Sequence, residues 1–260
     1  MSSPASAPLL TTTCGIVMGT LNAVGTMRFA GIPYAKPPGR WQPPEPCENW
    51  EGVRGGRAYR SMCVQPWGVG SEDCLFANVF AHESLIGNAT AKRPVMLWVH
   101  GGGNTIGSSN EYDATTVADF LGDKAVIITI NYRLNVFGFL GGDKLRGRDN
   151  STGNFGILDQ RLAMRFVRDH AAAFGGDSDR VTIVGQSAGA ASVSCHLVAP
   201  SSAGLYRRAA MWSGAFPDWA VATMPTQQAL FDQLAASACG GATGASALSD
   251  RPPGIAHTEA

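Results

Sequence analysis

The chain has 260 residues, 45% of them hydrophobic, enough to bury a substantial core in one domain or at most two. Twenty basic residues balance twenty acidic ones, so no net field favours nucleic acid or an anionic membrane. The unbroken apolar runs, Ala125 to Ile128 among them, fall far short of the ~18 residues that a membrane-spanning helix needs.

In chain order, Met1 to Gly15 has neither a basic segment nor a long apolar stretch and does not read as a signal peptide. Residues 15–32 read as a β-hairpin, with Ile16-Val17-Met18 and Met27-Arg28-Phe29 flanking a turn near Asn22 and Gly25. Pro33, Pro37, Pro38, Pro43, Pro44 and Pro46 then predict an extended surface crossing with little hydrogen bonding. Val95 to Val99, Ala125 to Ile130 and Val181 to Val184 are short apolar runs rich in β-branched residues, the pattern of strands buried on both faces. Helical spacing lies between and after them, over 112–121, 156–172 and 187–198. Strand alternating with helix predicts an α/β domain whose parallel sheet is covered on both faces.

The six cysteines stand at 14, 47, 63, 74, 195 and 239. None has CxxC spacing and no His-Glu-x-x-His occurs, so neither a zinc site nor a thioredoxin-like motif is expected, and no cofactor. Asn88-Ala89-Thr90 and Asn150-Ser151-Thr152 fit the N-glycosylation sequon, which matters only in a secretory compartment.

Gly185-Gln186-Ser187-Ala188-Gly189 matches GxSxG, directly after a predicted buried strand and opening a predicted helix. A sharp strand-to-helix turn needs neighbours without bulk, and the glycines supply them. Such a turn exposes the Ser187 hydroxyl at a helix N-terminus, where unpaired amides favour developing negative charge. The plain alternative is a glycine-rich turn without chemistry; the strand–turn–helix context favours the motif over it. Gly101-Gly102-Gly103 follows an earlier strand, and triple glycine lets backbone amides approach a substrate oxygen closely.

Together these motifs resemble the type-B carboxylesterase/cholinesterase family of α/β-hydrolases. The resemblance is carried by residues 29–35, Ser71-Glu72-Asp73-Cys74-Leu75, His100 to Gly103, Asn131-Tyr132-Arg133-Leu134, residues 136–140, Gly153 to Gly156 with Asp159-Gln160, residues 174–177, the Ser187 motif and residues 204–208. It implies an α/β-hydrolase fold with a mostly parallel central sheet and helices on both faces, cut off after the strand that follows the nucleophile helix. Residues 1–240 would be the N-terminal part of that domain, and 241–260 an unmatched tail expected to be disordered. It further implies that Ser187 is the acyl-forming nucleophile, that the amides of Gly102, Gly103 and Ala188 form the oxyanion hole, and that the substrate is a small-molecule ester. By the same resemblance Cys63 pairs with Cys74, and Arg40–Glu72 and Arg133–Asp159 are structural ion pairs. Family likeness favours an extracellular location.

The chain departs from the family in three places. Residues 36–41 are a few positions shorter than the usual spacing before Arg40. Gln186 stands where most members carry Glu, as it does in juvenile-hormone esterases, and this argues against cationic choline esters. No residue matches the family's triad acid or histidine. Of the five histidines, His196 is nine residues along the helix from Ser187, about 13.5 Å away. His100 is expected to support the glycine loop, His82 and His170 to be solvated, and His257 to lie in the tail. Two readings follow: a serine ester hydrolase represented by its N-terminal half, or a non-catalytic, neuroligin-like binding module. A third, a hormone-sensitive-lipase-like esterase, shares the triple glycine but leaves 71–75 unexplained. On the first reading the Arg208–Ser213 strand is an exposed sheet edge through which the chain could self-associate.

Overall fold

The computed structural model describes residues 7–147, 150–216 and 221–239. Within them a small sheet is built from β1 (Leu9–Thr11), β2 (Ile16–Met18) and β5 (Val53–Gly55). The main sheet contains β3 (Thr20–Leu21), β4 (Thr26–Pro33), β6 (Phe76–His82), β7 (Arg93–Val99), β8 (Val126–Ile130), β9 (Gly176–Gln186) and β10 (Arg208–Trp212). Its order is β10-β9-β7-β8-β6-β4-β3. The strands β8, β7, β9 and β10 run parallel, and β6, β4 and β3 extend the sheet antiparallel.

The parallel half follows from the apolar runs. All five residues of β8 are buried, and their alternation feeds two cores. Val126, Ile128 and Ile130 pack with Leu97, Ile183 and the buried side of α3 (Phe155–His170), including Leu162, Phe166 and Val167. Ile127 faces the other way, with Phe80 and with Ala118 of α1 (Thr115–Leu121). The helix after β9, α4 (Ala188–Val198), lies on β9, β10 and β7 and puts Val193 into the larger core. Helices therefore cover both faces, as the fold expectation requires. Between β8 and α3 comes the short α2 (Asn135–Phe139).

Several expectations need correction. The hairpin exists, but its first arm is β3, not 16–18, which pairs with β1 and β5 in the other sheet. The proline-rich crossing is extended yet folds back on itself: Lys36 N–H donates to Glu45 O, and buried Trp41 donates its indole N–H to Val136 O at 2.8 Å. The helix expected from 112 starts at Thr115, where the Asp113 carboxylate accepts from Thr115 N–H at 2.9 Å. Beyond β10 the chain forms a further helix, α5 (Met224–Cys239), whose Phe231 and Ala235 pack with Trp41, Leu140, Leu145 and Phe155. Residues 241–260, His257 included, lie outside the described residues.

His170 is not solvated. It is 6% exposed, with its Nδ1 2.8 Å from Phe166 O. A carbonyl only accepts, so Nδ1 carries the proton and Nε2 is left to accept from Thr13 N–H at 2.9 Å. The ring thus ties the N-terminal segment to the end of α3. His82 is half-buried, its Nδ1 2.9 Å from Ser84 Oγ.

Candidate functional site

At the C-terminal end of β9 the backbone turns sharply into α4, and Ser187 takes φ 54°, ψ −122°. A residue with a Cβ is strained there, and such strain persists only where the surroundings enforce it. Here they do. Ser187 N–H donates to Trp212 O at 2.9 Å, and Ser187 O accepts from Ala191 N–H at 3.0 Å. A Cβ at Gly185 would lie 2.3 Å from Gly189 O, and one at Gly189 2.2 Å from Val99 O. Both motif glycines are thus demanded by backbone packing between β9, α4 and β7. The turn leaves Ser187 half-buried at the helix N-terminus, its hydroxyl without a side-chain partner among the described residues.

The triple glycine reaches the same point from β7. A Cβ on Gly101 would sit 3.1 Å from Ser187 Cβ and 2.7 Å from Gln186 O, so the bare backbone is what lets the loop rest on the elbow. Gly102 has φ 103°, and its carbonyl accepts from Thr105 and Ile106 N–H, both at 3.0 Å, which curls the loop. Among the described residues the amides of Gly102, Gly103 and Ala188 donate to no protein acceptor, so all three stay available to an incoming oxygen.

Four residues hold the loop in this shape. His100, buried against Tyr132 with ring centroids 4.4 Å apart, places Nδ1 2.8 Å from Gly101 O, and Tyr132 donates its hydroxyl to His100 O at 2.8 Å. Burial lowers the His100 pKa to about 4, so the ring is neutral and structural, as expected. Gln65 bonds Gly107 in both directions: Nε2 donates to Gly107 O at 2.8 Å, and Oε1 accepts from Gly107 N–H at 3.0 Å. Asn135 donates its N–H to Asn104 O at 2.6 Å and its side-chain amide to Val64 O at 2.7 Å. Val64 and Gln65 belong to the loop closed by the Cys63–Cys74 disulfide, which forms as the resemblance implied.

The two structural ion pairs also form. Arg40 Nε and Nη2 grip the Glu72 carboxylate at 2.7–3.0 Å despite the short segment before Arg40. Arg133 grips buried Asp159 through Nε at 2.9 Å and Nη2 at 2.8 Å, with its backbone N–H adding a third bond. These carboxylates are committed to scaffolding. A second disulfide, Cys14–Cys47, was not anticipated: its cysteines are 33 positions apart, in segments with no motif to relate them.

No histidine among the described residues serves Ser187. His196 is locked in the α3–α4 interface, with Nδ1 2.9 Å from Ser202 Oγ and Nε2 3.0 Å from Gln160 Oε1, and burial lowers its pKa to about 4. His100, His170 and His82 are bound as described above. Gly103 opens on a cavity of about 550 Å³ lined by Phe139, Leu140, Phe216, Met224 and Leu230. Cys195 also lines it, and burial pushes that thiol's pKa up. No cluster of His, Cys, Asp and Glu among the described residues could hold a metal ion, and no described helix is long and apolar enough to cross a membrane.

The carboxylesterase family model matches residues 6–249. The chain is 40% identical over 232 residues to the cocaine esterase of Oryctolagus cuniculus, a match covering 80% of this chain and 42% of that protein. It is 41% identical to the para-nitrobenzyl esterase of Bacillus subtilis, covering 80% of this chain and 44% of that one. A crystal structure of a Geobacillus stearothermophilus carboxylesterase superposes with a TM-score of 0.85 at 39% identity, covering 95% of this chain and 53% of that one. The chain thus spans about half the length of its relatives or less. Their names are those of esterases, which does not favour the adhesion-module alternative. With the elbow, the glycine loop and both ion pairs in place and the family model matched over nearly the whole length, the chain belongs to the carboxylesterase family.

Proposed function

We propose that this chain carries the nucleophile half of a serine ester hydrolase site acting on small-molecule carboxylic esters. The observation that carries the reading is the strained Ser187 backbone, which holds a free hydroxyl beside three unbonded amides. Ser187 Oγ attacks the ester carbonyl, and the amides of Gly102, Gly103 and Ala188 take the oxyanion. The alcohol leaves, and water releases the acid from the acyl-serine. The proton taken from Ser187 needs a base, which none of the described residues supplies. The cavity lined by Phe139, Leu140, Phe216 and Met224 suits an apolar acyl or alcohol group, and Gln186 beside the serine brings no charge to attract a cation.

The test is p-nitrophenyl ester turnover by the 260-residue chain and by Ser187→Ala. We expect turnover far below that of an ordinary esterase in both proteins, because triad losses do not add, with an acyl adduct on Ser187 formed only by the unchanged chain. Removing a triad member leaves roughly 10³–10⁴-fold over water from oxyanion hole and binding alone. An acyl adduct that survives Ser187→Ala unchanged would sink the assignment.

Two further readings belong to this proposal. Disulfides Cys14–Cys47 and Cys63–Cys74 support maturation in an oxidising, secretory compartment. The open edge of β10, with Trp212 53% exposed and Met211 38%, supports self-association. Sizing chromatography that showed a monomer at high concentration would contradict the latter.

A further inference from the structure

We infer that Asn88 is an N-glycosylation site whose glycan stands at the end of the sheet opposite Ser187. Asn88-Ala89-Thr90 satisfies the acceptor pattern, with no proline at the middle position. All three residues are exposed. The Thr90 hydroxyl donates to Asn88 Oδ1 at 2.8 Å, joining the two residues that define the sequon. The Asn88 amide nitrogen has only a long contact, 3.4 Å to Ser84 O. The turn that presents it is anchored from below: Leu85 is buried, Gly87 N–H donates to Ala173 O at 3.0 Å, and Asn88 N–H donates to Leu85 O at 3.0 Å. A sugar on Nδ2 would point to solvent and displace no core contact.

Placement supports the same site. Residues 83–92 precede the start of β7 at Arg93, whereas the Gly101–Gly103 loop follows its end at Val99. Seven residues of strand, roughly 20 Å, separate the glycan from the site. The second sequon differs, because Thr152 and Gly153 line the cavity beside Gly103, and the Thr152 hydroxyl is committed to Gly142 O at 2.9 Å.

The step transfers an oligosaccharide from a lipid-linked diphosphate donor. Asn88 Nδ2 bonds to the anomeric carbon, the anomeric C–O bond breaks with its electron pair going to the diphosphate, and Nδ2 loses one proton. The inference rests on the secretory reading, since both the donor and disulfide formation belong to that compartment.

The experiment is cell-free translation of the full chain behind a secretory leader with endoplasmic-reticulum microsomes, reading the protease-protected product. We expect the unchanged chain to run one glycan heavier than Asn88→Gln and than Thr90→Ala, Thr90→Ser to keep the glycan, and endoglycosidase to remove the difference. Equal mobility of the unchanged chain and Asn88→Gln would overturn the inference. A non-reducing peptide map of the same product separates the two readings: both disulfides formed with Asn88 bare defeats the glycan alone, and a glycan with neither disulfide defeats the pairing alone.

Discussion

The Gln65 carboxamide and the Gly107 peptide unit bond each other in both directions, at 2.8 and 3.0 Å, and so fasten the disulfide-closed loop to the glycine loop beside Ser187. Gln65 is 6% exposed, so water does not readily replace either bond. Gln65→Ala removes both and leaves the Gly107 amide and carbonyl wanting, which should cost about 1–3 kcal/mol. Denaturant melts would read the loss, and hydrogen exchange at Ile106 and Gly107 should quicken. An unchanged midpoint with unchanged exchange would show that the clamp contributes nothing.

The strain at Ser187 predicts a stability that runs against function. Ser187→Gly relieves a backbone at φ 54°, ψ −122°, whereas Ser187→Ala keeps the Cβ and its strain. We expect the glycine variant to be the more stable of the two by ~1 kcal/mol, with acyl transfer lost in both. An alanine variant at least as stable would mean that the turn is unstrained.

Acid should destabilise the chain through two buried, neutral histidines. Burial lowers His100 and His196 to about 4, against an unfolded value of 6.5. Between those values the unfolded state binds more protons, so stability is full above pH ~6.5, declines as pH falls toward 4, and levels off below. Each ring accounts for a loss on the order of 3 kcal/mol over that window. His196→Gln should flatten the slope by close to one proton; an unaltered slope would place the titration elsewhere.

Both disulfides should be recoverable by non-reducing peptide mapping as Cys14–Cys47 and Cys63–Cys74. On the chain-entropy model the bridge spanning 33 positions contributes more than the one spanning 11, nearly 4 against about 3 kcal/mol. Cys14→Ser with Cys47→Ser should therefore lower the melting temperature more than the equivalent change at 63 and 74. The reverse order would contradict the chain-entropy account.

Much of this was legible before the structure. The strands β7, β8 and β9 announce themselves because burial on both faces leaves continuous β-branched runs, and the elbow because its glycines are required by backbone contact. His170 misled because its partner, Thr13, is 157 positions away and nothing in a helix-terminal histidine signals such a bond. Gln65 looked like any polar loop residue; its place between two motif cysteines was the available hint. Residues 16–18 lie next to a genuine hairpin, and only the pairing with β1 and β5 shows that they leave it.

The central claim is that Ser187 is the acyl-accepting atom of a site held ready by the surrounding backbone. Its most direct test is mass spectrometry of the acid-quenched chain after incubation with a p-nitrophenyl ester. The account predicts an acyl adduct on the peptide containing Ser187, absent in Ser187→Ala and weakened when the loop is loosened by Gln65→Ala. An adduct confined to another residue, or one that survives Ser187→Ala unchanged, would contradict it.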